Sequence, residues 1–192
     1  AALNTKGETF IKAKKSRDHT EILFKYLNLP IKVLKRKNYD LIRIRGKKNF
    51  KPFNYKIPSD ISSSAFFIVL AALSNKSKIN IRNVNINPSR LGVIKILKKM
   101  GVKIFIKNSK IYKGEKIADI HVVSKENLKS INCPTKLNSS AIDEFLLIFL
   151  VAARAKGIST FKKLSELNQK ESPRLIWGSK ILKKMGVKTV LS

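Results

Sequence analysis

Apolar residues fall along this chain in two patterns, and each predicts a different kind of helix. Residues 60–73 and 138–154 are apolar on nearly every face after a polar start, Asp60 with Ser62, Ser63 and Ser64 in one and Asn138 with Ser139 and Ser140 in the other. A helix without a polar face is buried, and Ser, Asn and Asp at its start are the side chains that accept its first free N–H groups. The second pattern is amphipathic and ends in glycine or asparagine. Lys95-Ile-Leu-Lys-Lys-Met-Gly-Val-Lys103 recurs letter for letter as Lys180-Ile-Leu-Lys-Lys-Met-Gly-Val-Lys188. Pro88-Ser-Arg-Leu91 stands ahead of the first copy and Ser172-Pro-Arg-Leu175 ahead of the second. A weaker third copy covers residues 16–33, with Asn28 near the glycine position. Each copy reads as a helix stopped by Gly or Asn and followed by a strand.

Shorter apolar runs predict strands at 31–35, 41–45, 79–84, 102–107, 110–112 and 158–163. Lys37-Asn38 and Asn108-Ser109 fit hairpin turns, pairing 31–35 with 41–45 and 102–107 with 110–112. The predicted class is therefore α+β, built from repeated βαβαββ-like units with the apolar helices inside and sheets around them. Ile57-Pro58-Ser59, between a strand and the first buried helix, is the expected domain boundary, separating residues 1–58 from 59–192.

Composition agrees with a folded protein: 43% of the 192 residues are apolar, enough for a sizeable core and against general disorder. A single cysteine, Cys133, excludes a disulfide framework and a Cys-based zinc site, and His19 and His121 lie too far apart for a His-rich metal centre. Neither metal nor cofactor is expected. The longest apolar runs, 65–73 and 145–153, have about half the length of a membrane span. With no basic-then-apolar leader, the expectation is a soluble, cytoplasmic chain with no membrane partner.

Charge adds an alternative. Lys and Arg number 41 against 12 Asp and Glu, a net charge of +29 that attracts phosphates, nucleic acid or acidic membrane. The excess is mostly lysine spread along the chain, whereas a nucleic-acid site gathers charge on one face. Phe66, Phe67, Phe145 and Phe149 lie inside apolar runs and read as core, not as platforms for bases. Nucleic-acid binding is thus the alternative reading, and the few arginines become the informative cations, since a planar fork suits bidentate phosphate or carboxylate contacts.

Arg17, Arg90 and Arg174 fall at the expected first turns of the three repeat helices, where the helix dipole disfavours a cation. Two readings stand for them: an anion site shared with free helix N–H groups, or pairing with a carboxylate such as Asp18 or Glu171. Lys170-Glu171-Ser172-Pro173-Arg174 places a carboxylate between cations before a helix, the setting for a general acid or base if buried, and otherwise a solvated loop. Asp143 and Glu144 begin the second apolar helix, with Asp143 expected in its first turn. Ser62, Ser63 and Ser64 read as caps, with contact to a phosphate as the alternative, while His19, His121 and Cys133 have no partner at catalytic spacing.

In order along the chain, Ser16-Arg-Asp-His-Thr-Glu21, Asp60-Ile-Ser-Ser-Ser-Ala-Phe-Phe67, Asn83-Val-Asn-Ile-Asn-Pro-Ser-Arg90, Ile142-Asp-Glu144 and Lys170-Glu-Ser-Pro-Arg-Leu175 resemble the 5-enolpyruvylshikimate-3-phosphate synthases, most closely the bacterial branch with the Ser-Arg-Asp-His-Thr-Glu string. The resemblance covers essentially the whole chain. It implies an inside-out fold of two domains, each of three βαβαββ units, with the site in the cleft between them. On that mapping residues 1–58 are the last part of the phosphoshikimate-side domain, and 59–192 are about two units of the other. The implied reaction joins phosphoenolpyruvate to the 5-hydroxyl of shikimate 3-phosphate without metal, in an enzyme that is a monomer at full length. Asp143 matches the carboxylate that orients or deprotonates that hydroxyl, and Glu171 the acid–base at the enolpyruvyl methylene. Lys170 matches a contact to both substrates, Arg174 the clamp on phosphoenolpyruvate, and Ser16 with Arg17 the position that reaches the shikimate phosphate.

The chain departs from the family pattern at Asn168-Gln169, where Arg-Val is usual, at Pro173, where Asp is usual, and at Ser59, where Gly is usual and a strained backbone is expected. The family's N-terminal Lys-Ser loop, Ser-Ala-Gln turn and C-terminal arginine and lysine have no counterpart here. The expectation is a fragment that is inactive alone, with a noncatalytic remnant of the fold as a further alternative.

Overall fold

The computed structural model describes residues 1–46, 52–124 and 127–191. Strand β1 (Glu8–Lys14), helix α1 (His19–Tyr26) and strands β2 (Ile31–Lys35) and β3 (Tyr39–Arg45) form a first unit, in which β3 lies between β1 and β2 and is antiparallel to both. The turn at Lys37-Asn38 joins β2 to β3 as the sequence predicts. Residues 52–58 hold neither helix nor strand. Helix α2 (Ile61–Leu73) then leads into a second unit of β4 (Lys78–Asn85), α3 (Gly92–Lys99), β5 (Lys103–Tyr112) and β6 (Glu115–Val123). Its middle strand is β6, antiparallel to both neighbours, so the two units share one strand order. Helices α4 (Phe145–Arg154) and α5 (Arg174–Lys184) follow.

The amphipathic helices stop where the repeat places Gly or Asn. Asn28, Gly101 and Gly186 take left-handed φ of 53°, 92° and 81° after α1, α3 and α5. In each case that residue's N–H and the next one bond back to carbonyls of the last turn: Asn28 to Lys25 and Leu29 to Phe24, Gly101 to Lys98 and Val102 to Leu97, Gly186 to Lys183 and Val187 to Leu182. This is the Schellman arrangement, which satisfies carbonyls that would otherwise lack donors. At the other end of α2, Asp60 caps as predicted, its Oδ2 accepting from the Ser63 N–H at 2.9 Å.

Other expectations are corrected. Strand β5 does not turn at Asn108-Ser109. It runs through to Tyr112, and Asn108, at φ 52°, sits in a bulge where β5 has one residue more than β6. The reversal falls instead at Lys113-Gly114, whose φ of 47° and 87° are the pair that a two-residue type I′ loop requires, and it leads into β6, absent from the sequence reading. Residues 158–163 form no strand: Thr160 makes a single parallel bridge with Asn132, between left-handed Gly157 and Lys163. Helix α4 begins at Phe145, and the residues from Asn138 to Glu144 before it form turns. Ser59 is not strained; its φ is not positive, and its N–H and C=O bond to Asn83 and Asn85 alongside β4.

The core lies between α2 and α4, closed by α3 and the second sheet, with Ile68, Val93, Ile96, Leu97, Ile120, Phe145 and Ile148 fully enclosed. Phe149 packs against this core, but Phe66, Phe67 and Leu70 lie on the far side of α2 and are more than half exposed. The expectation that α2 is buried on all faces therefore fails, because among the described residues elements pack on only one of its sides. Among the described residues, no helix is long and apolar enough to cross a membrane.

Candidate active site

Asp143 lies in the turn just before α4 instead of within the helix's first turn, because the first i→i−4 bond runs from the Ile148 N–H to the carbonyl of the N-cap, Glu144. Arg17, in the loop between β1 and α1, donates from Nη2 to Asp143 Oδ2. Lys170 Nζ and Arg174 Nη1 stand 3.6 and 3.5 Å from Oδ1. Arg174, the first residue of α5, also donates from Nη2 to Glu171 Oε2 at 2.7 Å. Arg17, Asp143, Lys170, Glu171 and Arg174 thus meet in one place, and Ser16 is exposed next to Arg17.

The repeat arginines do not all occupy first turns. Arg17 precedes the Asp18 cap, and Arg90 ends a single 3-10 turn, Pro88–Arg90, ahead of α3. Each is paired with a carboxylate: Arg17 with Asp143 and not Asp18, Arg90 with Asp60 at 2.9 Å, and Arg174 with Glu171. Of the two readings left open by the sequence, pairing describes the protein without ligand. A guanidinium already paired with a carboxylate can exchange it for another anion of like geometry.

Neighbouring carboxyls here have opposite environments. Partial burial pushes Asp143 up, but the Arg17 hydrogen bond and the charges of Arg17, Lys170 and Arg174 more than reverse it and leave the carboxyl below its usual range. Glu171, almost fully exposed, is held low by its own backbone N–H and by Arg174. Glu144 is 3% exposed, and burial, with the negative charge of Asp143 added, pushes it up against the opposing Ser62 hydroxyl and the Arg90 and Arg17 charges. Two adjacent carboxyls are thus driven in opposite directions by their surroundings.

The sequence reading missed the groups behind Asp143. Ser62 is not a cap; its hydroxyl donates to Glu144 Oε1, and Arg90 Nη2 donates to the Ser62 oxygen. Together with the Arg90–Asp60 pair this makes a polar chain from the start of α2 to the start of α4. Its one signal in the sequence is Arg90, which the repeat aligns with Arg17 and Arg174. The departures before α5 also acquire a purpose. Pro173 at the N-cap offers no side-chain acceptor, and Asn168 Oδ1 accepts instead from the N–H groups of Leu175 and Ile176 at 3.1 and 3.3 Å. No cluster of three or more His, Cys, Asp or Glu side chains suited to a metal ion occurs among the described residues.

Fold and cation cluster together describe an α+β protein of repeated design with a site suited to anions. The family model for EPSP synthase (3-phosphoshikimate 1-carboxyvinyltransferase) matches residues 1–191. The chain is 44% identical over 176 residues to the 3-phosphoshikimate 1-carboxyvinyltransferase of Ruthia magnifica subsp. Calyptogena magnifica, a match covering 91% of this chain and 39% of that relative. For the enzyme of the same description from Petrotoga mobilis, identity is 39% over 189 residues, with 97% and 43% covered. The solved EPSP synthase of Acinetobacter baumannii is similar at a TM-score of 0.84 and 38% identity, over 95% of this chain and 40% of that one. The chain belongs to the EPSP synthase family and has its α+β fold. It spans about 40% of the length of these relatives.

Proposed function

We propose that this chain supplies part of the site at which a 3-phosphoshikimate 1-carboxyvinyltransferase moves the enolpyruvyl group of phosphoenolpyruvate to the 5-hydroxyl of shikimate 3-phosphate. The observation that carries this reading is the meeting of Arg17, Lys170 and Arg174 around Asp143. Both substrates bear phosphate, and the arginine forks suit such groups. Asp143, held ionised, accepts the hydroxyl proton as that oxygen attacks C2 of phosphoenolpyruvate. Glu171 donates a proton to C3, turning the methylene into a methyl group. In the second step it takes a proton back from the methyl as the bond from C2 to the phosphate oxygen breaks, releasing phosphate and leaving the enol ether. As Arg174 swings to the incoming anion, Glu171 loses a partner that keeps it ionised, which favours the protonated form needed in the first step. Arg174 clamps phosphoenolpyruvate, Lys170 contacts both substrates, and Ser16 with Arg17 face the shikimate phosphate.

On the same reading, residues 1–58 belong to the phosphoshikimate-side domain and 59–192 to its partner domain. The full-length protein is a cytoplasmic monomer with these small-molecule partners, without nucleic acid or membrane. On this reading the 192 residues alone are expected to be inactive, since they span only about 40% of the relatives' length. The test joins the chain to the matching remainder of the Petrotoga mobilis relative and follows phosphate release. Turnover is expected, with Asp143→Asn and Glu171→Gln each lowering kcat by roughly 10²–10⁴-fold. Full turnover by both variants, or by the isolated chain, overturns the assignment.

A further inference from the structure

Arg17 reaches Asp143 from the loop before α1, and the next two residues, Asp18 and His19, are tied to the second unit. Asp18 Oδ1 accepts from Asn87 Nδ2 at 2.8 Å, and His19 Nδ1 lies 2.5 Å from Glu115 Oε1. Three consecutive side chains thus meet three separate places: the turn before α4, the start of the Pro88–Arg90 turn and the first residue of β6. Two of the receiving groups are enclosed, Asn87 being 2% and Glu115 5% exposed, while Arg17 itself is exposed.

The hydrogen-bond inventory leaves this seat little freedom. Asn87 Oδ1 accepts from the N–H and the hydroxyl of Ser89 at 2.9 and 2.7 Å, so its amide nitrogen is turned toward Asp18 and, at 3.5 Å, Glu115 Oε2. A carboxylate only accepts, so His19 presents a proton on Nδ1. His19 Nε2 is buried without a hydrogen-bond partner among the described residues, and a proton there would be a donor with no acceptor. The loop ahead of Glu115 rests directly on α1, since a Cβ at Gly114 would lie 3.0 Å from Ile22 Cγ2.

We propose that Asn87 and Glu115 are positioning residues that seat residues 17–19 across the two units and so hold Arg17 against Asp143. Neither is within hydrogen-bond reach of Asp143. An exposed ion pair such as Arg17–Asp143 is weak by itself, whereas a buried carboxylate that loses its partner is costly, so the exposed arginine follows the buried pair. The inference rests on the proposed function only in treating Arg17 and Asp143 as one site, and its test needs no substrate and no turnover.

The experiment follows the Asp143 carboxyl by carbon NMR through an acid titration of the 192-residue chain. Arg17→Ala is the reference and is expected to raise the midpoint, since Lys170, Arg174 and Glu144, the other charged groups facing Asp143, stay in place. Glu115→Leu and His19→Leu are expected to raise it in the same direction by at least half as much. His19→Asn, which restores a side-chain N–H near the place of Nδ1, is expected to keep the wild-type midpoint. The wild-type His19 nitrogen spectrum is expected to show the Nδ1–H form. His19 is partly exposed, so its variants serve if Glu115→Leu does not fold. A wild-type midpoint in folded His19→Leu, an unmoved midpoint in Arg17→Ala, or an Nε2–H form of His19 overturns the proposal. A purely structural role for Glu115 would lower stability and leave the Asp143 midpoint of the folded chain unchanged.

Discussion

In the first strand-helix-hairpin unit α1 buries none of its residues and β3 buries Ile42 and Ile44; in the second, α3 buries Val93, Ile94, Ile96 and Leu97 and β6 buries Ile117, Ala118, Ile120 and Val122. Yet the strand order, the left-handed helix stop and the hairpin are common to both. The difference lies in their company. Helices α2 and α4 pack on the second unit, and among the described residues nothing equivalent covers the first. The second sheet also carries two bulges that the first lacks, at Asn83 and Asn108 on either side of β6. Both are tied to Asp119, which accepts from the Asn83 N–H at 2.9 Å and from Asn108 Nδ2 at 2.8 Å. Topology here follows from local stops and turns, whereas burial depends on elements supplied from elsewhere in the chain.

The largest effect that separates the units is expected in their central strands. Ile120→Ala, at a fully enclosed site, is expected to cost about 2–5 kcal/mol in denaturant unfolding. Ile42→Ala, at the corresponding place in β3, is expected to cost less than half of that, and equal losses would break the comparison. Next is Gly92, where an added Cβ would lie 2.5 to 2.7 Å from Ser140 and the Ala141 nitrogen, backbone included. Gly92→Ala is expected to cost roughly 1–3 kcal/mol and to displace the turn that carries Asp143, visible as shifted Asp143 resonances. Gly178→Ala crowds the movable end of Leu146 and touches Phe149 at ordinary contact distance, so it is expected to cost less.

The helix stops should show the two units behaving alike. Gly101→Ala and Asn28→Ala each force an unsuitable residue into the left-handed region, for about 1 kcal/mol by the same measurement. The smallest effect is electrostatic. Asp143 and Asp119 are held below their ordinary values, Asp119 by its Asn108 and Asn83 bonds. A carboxyl lowered on folding adds stability above its unfolded pKa and loses it as pH falls through the folded value. Wild type should therefore lose part of its stability advantage over Asp143→Asn and over Asp119→Asn as the pH is lowered below the usual aspartate range. An advantage that does not shrink with acid would contradict the pairing at that residue.

Much of the fold was legible where the signal is local. The letter-for-letter repeat located α3 and α5 and their glycine stops, and Asp60 announced the start of α2. Strand β6 was not legible, because Asn108-Ser109 offers a turn ahead of the true one at Lys113-Gly114, and Asn108 resembles a turn residue whether it reverses a chain or bulges it. At the site, the motifs pointed to Asp143, Lys170, Glu171 and Arg174, and the repeat to Arg17. The polar chain through Ser62 and Glu144 and the seat made by Asn87 and Glu115 were hidden, since they join residues 82 and 96 positions apart. A serine that bridges two elements is written with the same letter as a serine that caps a helix.

By itself the amino-acid sequence determined where helices stop, which segments are apolar enough to be buried, and the family to which the ordered motifs belong. Those properties depend on backbone preferences and side-chain chemistry within a few residues. Only the tertiary structure decided which face of α2 is covered, which carboxylate each arginine meets, and that Asp143 is held low while adjacent Glu144 is pushed up. Those outcomes depend on distances and on exclusion of water, which arise when separate elements pack together.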